Sequence, residues 1–407
     1  MFSPITKSFL LQSKYTRYAF LFATVFMLLT ETVCAQSVNK TKGGKGLQFV
    51  SADSLFSTKI NLRIQSLYVG EYNLDSEEYT DQVQIRRSRL KFEGFAYGPQ
   101  FEYKLELGLS NSDIGGGNQR ANNNTANIIL DAFVRWNITS NLGLVFGQTK
   151  LPGNRERVIS SQKMQFVDRS LLNARYNIDR DAGVQLHHQF AVGPVVFREV
   201  AAVSMGEGRN ITADNVGGYD FTGRFEVLPF GEFEGDGDYV GADLAREETP
   251  KLAVGVTYDF NKGASRERGQ LGSFLSQQRD LKTFFADAMF KYRGFSAMAE
   301  YADKRSSGSP VVETDPVTGD VTDAFFTGTG FNIQAGYLFK NNFEIAGRYT
   351  SINPEALTQD AENKQYTLGL SKYILGHTVK AQTDVSLLRE QQDWSNLMYR
   401  FQFEIGF

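Results

Sequence analysis

The chain of 407 residues carries 43 Lys and Arg against 46 Asp and Glu, a formal net charge of −3, and a single cysteine. This balance excludes a nucleic-acid binder of the usual basic kind, and one cysteine excludes a disulfide framework or a multi-thiolate metal site. With 33 Phe and 18 Tyr against 2 Trp, and 38 Gly against 9 Pro, the composition is that of an aromatic- and glycine-rich all-β chain.

The first residues read as targeting: Lys7, Lys14 and Arg17 precede the apolar run Tyr18–Leu29, and Val33-Cys34-Ala35 supplies small residues for cleavage. Residues 1–35 are therefore expected to be a signal peptide. Its loss removes the cysteine together with Lys7, Lys14, Arg17 and Glu31, taking the net charge from −3 to about −5. Residues 36–57 form a polar leader, with a Thr-Lys-Gly-Gly-Lys-Gly stretch that reads as flexible, and the folded region occupies 58–407. No stretch after the signal approaches the roughly eighteen apolar residues of a membrane-spanning helix.

From there a period of two residues, the signature of strands, recurs to the end. Ile60, Leu62 and Ile64 alternate with Asn61, Arg63 and Gln65 in a strand running to about Tyr72. Val83–Tyr97 sets Arg87, Arg89, Lys91 and Glu93 on one face and Leu90, Phe92, Gly94 and Ala96 on the other. In Phe101–Leu109 the apolar row alternates with Glu102, Lys104 and Glu106. A Gly- and Asn-rich loop at 111–126 leads to further strands at 127–136, 142–149, 180–190, 195–205, 219–230, 251–260 and 281–292. The remaining strands are at 295–303, 331–339, 343–351, 365–375, 377–389 and 397–407, which makes sixteen. In the last, Leu397, Tyr399, Phe401, Phe403, Ile405 and Phe407 form an apolar row opposite Met398, Arg400, Gln402, Glu404 and Gly406. The facing of 195–205 is open, because Arg198 and Glu199 are adjacent.

Short connections, such as Arg293-Gly294, Lys340-Asn341-Asn342 and Gly376, alternate with long polar ones at 150–179, 206–218, 261–280, 304–330 and 352–364. Sorting by parity is what a transmembrane antiparallel β-barrel of about 16 strands requires, with short turns on one rim and long loops on the other. A barrel of that size leaves an aqueous lumen. Its apolar rows would face outer-membrane lipids. One connection breaks the rule: Gly231–Pro250 is long and acidic where a short turn belongs. Its Asp236-Gly237-Asp238 spacing suits calcium but lacks the other positions of an EF-hand loop, so a solvated acidic turn is expected.

The third long connection is the candidate for chemistry. From Lys150 to Arg180 it holds Lys150, Arg155, Arg157, Lys163, Arg169, Arg175 and Arg180 against Glu156, Asp168 and Asp179, a local charge of +4 in an acidic chain. Folded into the lumen, such a loop would narrow the pore and line it with guanidinium groups, whose donor fork matches phosphate and carboxylate. Arg87, Arg89 and Lys91 would extend the basic path along the wall, where Glu93, Glu102, Glu106 and Asp131 make a mixed lining equally compatible with the pattern. Catalysis finds no local motif. His187 and His188, as strand neighbours, face opposite sides and cannot share an ion. An outer-membrane hydrolase with a scattered Ser, His and acidic site is the enzymatic alternative. No cofactor is expected.

Three stretches resemble the phosphate-selective porin O and P family as found in outer membranes of the Bacteroidetes type. They are Arg86-Arg87-Ser88-Arg89-Leu90 with Gly94; Gly147-Gln148-Thr149-Lys150-Leu151-Pro152 leading to Phe166-Val167-Asp168-Arg169-Ser170; and Asp179-Arg180-Asp181-Ala182-Gly183-Val184. The resemblance implies a sixteen-stranded barrel in the outer membrane of a Gram-negative bacterium, usually a homotrimer, with an inward third loop. It implies passive diffusion of small anions such as phosphate; a general, non-selective porin is the alternative. The family's Pro-Phe is Pro152-Gly153 here.

Overall fold

The computed structural model describes residues 37–39, 46–114, 127–211, 215 and 217–407, so the expected signal peptide and most of the 111–126 loop lie outside the described residues. Sixteen strands follow one another: β1 (Phe56–Asn73), β2 (Tyr79–Ala96), β3 (Phe101–Gly108), β4 (Ile129–Asn137), β5 (Leu142–Lys150), β6 (Arg180–Val192), β7 (Val195–Ser204) and β8 (Asp220–Leu228). They continue as β9 (Lys251–Arg266), β10 (Phe274–Tyr292), β11 (Phe295–Ser306), β12 (Gly328–Leu338), β13 (Phe343–Pro354), β14 (Asn363–Leu375), β15 (Val379–Glu390) and β16 (Asp393–Gly406). Each pairs antiparallel with the next. The ring closes where β16 pairs with β1, from Asn396 opposite Asn73 to Gly406 opposite Arg63. Closure satisfies every edge group internally, which a sheet crossing lipid must do. Among the described residues no helix is long and apolar enough to cross a membrane.

The two-residue period sorts side chains as expected. On β16 Phe401 and Phe403 are 44% and 42% exposed, whereas Gln402 and Glu404 are fully buried. The adjacent pair on β7 divides the same way: Arg198 turns inward to Asp238 at 2.7 Å and Glu199 outward to His188 at 3.0 Å. The Arg293-Gly294 turn has both central residues at positive φ, 49° and 88°. That is the type I′ geometry matching strand twist, and glycine takes the second position without strain.

Three expectations change. The 261–280 connection is mostly strand, because β9 and β10 run on as a tall hairpin and leave only 267–273 as a turn. Likewise 304–330 contains a hairpin of Val311–Thr314 with Val321–Ala324. Beyond the lipid a strand has no apolar face to maintain, so its alternation fades from the sequence while its ladder continues. The polar leader is also partly ordered, with Leu47–Val50 pairing with the start of β1. Cysteines at Ser307 and Asn363, on the long-loop rim, are expected to react with an impermeant maleimide on intact cells. One at Asn341, in the short turn between β12 and β13, is expected to stay unlabelled; labelling of all three would refute the orientation.

Candidate functional site

Between β5 and β6, residues 151–179 form two short helices, Arg155–Val158 and Leu171–Tyr176. The second begins where Ser170 Oγ accepts a bond from the Asn173 N–H, a side-chain cap on otherwise orphaned donors. The segment is held by side chains of the barrel's polar rows. Arg155, fully buried, donates to Asp287 at 2.7 Å, Glu226 at 2.6 Å and the Asp238 carbonyl at 3.1 Å. Arg224 bridges the same two carboxylates and donates to the Gly153 carbonyl at 3.2 Å. Further along, the Glu156 N–H reaches Glu300 at 2.7 Å, Gln165 reaches Glu344 at 2.7 Å, and the Val167 N–H reaches Asp384 at 3.1 Å. Asp168 pairs with Arg86 at 2.9 Å and Arg87 at 3.2 Å, and Ser161 accepts a bond from Arg63 at 2.9 Å. These partners come from β1, β2, β8, β10, β11, β13 and β15.

The acidic connection 231–250 meets this segment and is not a solvated turn. Asp238 and Asp243 are fully buried. Asp238 accepts from Arg198, Asp243 accepts the Gly294 N–H at 2.7 Å, and Lys291 donates to the Ala242 carbonyl at 2.8 Å. The Gly241 N–H bonds to the Lys163 carbonyl at 2.8 Å, and the Tyr239 ring lies 4.8 Å from the Arg155 guanidinium. The calcium spacing read at Asp236–Asp238 fails because Asp238 is already engaged with arginines.

Beside 151–179, lined mainly from β2 to β6 with contributions from β7, β8, β14 and β16, lie three neighbouring cavities. One of about 380 Å³ is lined by Arg86, Arg87, Arg89, Arg157, Arg169 and Arg209, with Lys150 and Arg180. The next, about 280 Å³, has Lys104, Arg135, Lys150 and Arg180 with Glu106 and Asp131. The third, about 330 Å³, opens among Arg135, His187 and the 139–142 turn. Lys150 lines all three. Most cations here are matched: Arg89 with Asp113 at 2.6 Å, Arg157 with Asp179, Arg180 with Asp131 at 2.7 Å, and Lys104 with Asp131 at 2.5 Å. Lys150 and Arg169 instead reach only backbone carbonyls, at 2.8–3.3 Å for Lys150 and 2.8–2.9 Å for Arg169. Burial and the charges of Arg157 and Arg87 push the Arg169 guanidinium below its ordinary value. A guanidinium stays protonated regardless, so Arg169 keeps its charge in this setting. Asp168 is held well below the usual carboxylate range by Arg87 and Arg86, against the opposing effect of burial.

Of the basic residues singled out from sequence, Lys150, Arg157, Arg169, Arg180, Arg87 and Arg89 come together at the cavities. Arg155 does not: it is a buried anchor. Arg175 pairs with Asp360 and stacks on Phe326 at 4.0 Å, Lys91 pairs with Glu93 at 2.8 Å, and Lys163 offers its carbonyl to Gly241. Sequence reasoning missed Arg86 and Arg209 as lining cations. The Arg86-Arg87 doublet was a signal in hindsight, since strand neighbours normally diverge. A register shift in the β1–β2 ladder at Gln65/Ser66 brings both to Asp168.

A sequence model of the phosphate-selective porin O and P family matches residues 58–397. Solved structures with the same fold include a loop L8 deletion mutant of OmpT, an outer membrane protein of Vibrio cholerae, at 10% identity and a TM-score of 0.56, covering 87% of this chain and 100% of that one. An anion-selective porin from Comamonas acidovorans matches at 11% identity and 0.53, covering 86% and 100%. OprB of Pseudomonas putida matches at 9% identity and 0.51, covering 86% and 94%. No curated protein matches the chain in sequence.

Proposed function

We propose that this chain, which belongs to the phosphate-selective porin O and P family and is an outer-membrane porin, passes small anions, phosphate among them, between segment 151–179 and the β2–β6 wall. The segment constricts the lumen on this reading, because its hydrogen-bond partners come from strands around most of the ring. The observation that carries the anion preference is the pair Lys150 and Arg169, cations without a carboxylate partner among the described residues, beside the 380 Å³ and 280 Å³ cavities, whose acids are each matched by arginine or lysine. Rings of Arg and Lys in a narrow passage select anions, and charges on outer loops more than about 8 Å away are screened at physiological salt. The local excess therefore outweighs the acidic total. Passive diffusion needs no chemistry from the chain, and the reading is of a channel and not an enzyme.

The test is the reversal potential across a salt gradient in a planar bilayer, expected to have the sign of an anion-preferring pore. A cation-selective parent would discard the reading. Inhibition of chloride current by phosphate separates a binding site from a bias. The mixed wall, with Lys104 shared by Glu106 and Asp131, favours the second reading, a general porin, and a reversal potential near zero would establish it. A homotrimer accords with the family; crosslinking in native membranes is expected to stop at three chains, and a ladder ending at one would exclude it.

A further inference from the structure

Near the long-loop ends of β8, β9 and β10, a group of oxygen atoms is buried with too few donors. Asp220 and Asp259 are 0% and 1% exposed. Asp220 stands opposite Asn261 and Thr222 opposite Asp259 in the β8–β9 ladder, so the two carboxyl groups are diagonal neighbours on the same inward face. Asp259 accepts a bond from Thr222 Oγ1 at 2.8 Å, and Asp220 accepts one from the Gln270 amide. The one cation near both carboxylates among the described residues is Lys304, which makes no ion pair with either and directs its Nζ to the Arg268 carbonyl at 2.6 Å. Two carboxylates side by side in such a setting repel unless a proton or a cation lies between them.

The neighbouring atoms distinguish those cases. Asp220 Oδ1, Gln270 Oε1 and Thr283 Oγ1 have no hydrogen-bond partner. Thr283, also fully buried, stands opposite Asp259 in the β9–β10 ladder. One shared proton satisfies one contact and leaves the amide and hydroxyl oxygens bare, each at the cost of an unmade bond. A hard cation takes carboxylate, amide and hydroxyl oxygens together. Calcium fits better than magnesium because it accepts six to eight oxygens in irregular geometry, whereas magnesium keeps several waters. We propose that Asp220, Asp259, Gln270 and Thr283 bind a calcium ion on the inner face of the barrel.

The ion would tie the 267–273 turn to three strands. That turn packs on the loop carrying Arg209: a Cβ added at Gly208, where φ is +97°, would lie 2.3 Å from the Gln270 carbonyl. Arg209 lines the 380 Å³ cavity, so the site would hold one wall of that cavity in place.

The test uses the full barrel refolded from inclusion bodies, free of lipopolysaccharide and stripped with a chelator. Equilibrium dialysis with radioactive calcium is expected to find one ion per chain, with a dissociation constant of about 10⁻⁴–10⁻³ M, the range of extracellular sites. Millimolar calcium, but not magnesium, is expected to raise the temperature at which the folded band converts on gels. D220N/D259N removes two poorly compensated charges, so it is expected to fold, bind no ion and show no shift. Q270L, altered in the turn alone, is expected to bind about tenfold more weakly and covers the case in which the double variant fails to fold. A parent that binds no calcium, a double variant that still binds it, an unchanged Q270L affinity or an equal response to magnesium would each overturn the assignment.

Discussion

Arg155→Met is expected to raise the single-channel conductance and to lower the temperature at which the barrel unfolds. Arg155 joins Asp287 on β10, Glu226 on β8 and the carbonyl of Asp238. It thereby ties segment 151–179 both to the wall and to the 231–250 connection. Removing one partner of a buried ion pair leaves the other charge uncompensated, at about 3–5 kcal/mol. Arg224 still reaches both carboxylates, so the lower end of that range is expected. On the proposed reading, in which segment 151–179 constricts the lumen, the weakened anchor lets it move off its bed, and the pore widens. Combining Arg155→Met with Asp287→Asn should recover part of the stability, because the orphaned charge is gone, but not the narrow conductance, because the tie is still missing. A variant with parental conductance would show that Arg155 does not position the segment.

Lys150→Gln with Arg169→Gln is expected to move the reversal potential most of the way to zero, while Arg175→Gln leaves it unchanged. The contrast follows from pairing. Arg175 is matched by Asp360, whereas Lys150 and Arg169 meet only carbonyl oxygens. A unit charge about 6 Å from a permeant ion contributes about 0.7 kcal/mol in bulk water and several times more beside protein. Each is thus expected to change the anion-to-cation ratio about threefold or more. The conductance should change less than in Arg155→Met, because neither residue ties the segment to a distant strand. Retained selectivity in the double variant would shift the filter to Arg135 and Arg209, lining cations that likewise make no ion pair with a carboxylate among the described residues.

Much of this molecule was legible in its sequence because a strand in lipid must alternate. The outward row of β16 had to be Leu397, Tyr399, Phe401, Phe403 and Ile405, and the inward row had to tolerate water, so strand identity and number, and facing except on the 195–205 strand, followed from a two-residue period. Where that demand lapses the signal lapses too, as in the upper parts of β9 and β10. The basic character of 150–180 was likewise plain. Which of its charges remain free was not, because pairing is decided across the lumen between residues far apart in the chain. Arg155 and Arg169 look alike in sequence, yet one is neutralised by Asp287 and Glu226 and the other is met only by the Glu156 and Ile159 carbonyls. The acidic 231–250 connection looked solvated for the same reason, since nothing local announces that Asp238 will meet Arg198 or that Asp243 will cap the turn at Gly294. Local periodicity determined the wall, and only the closed ring, by bringing distant polar rows face to face, decided which charges cancel and which remain to meet a solute.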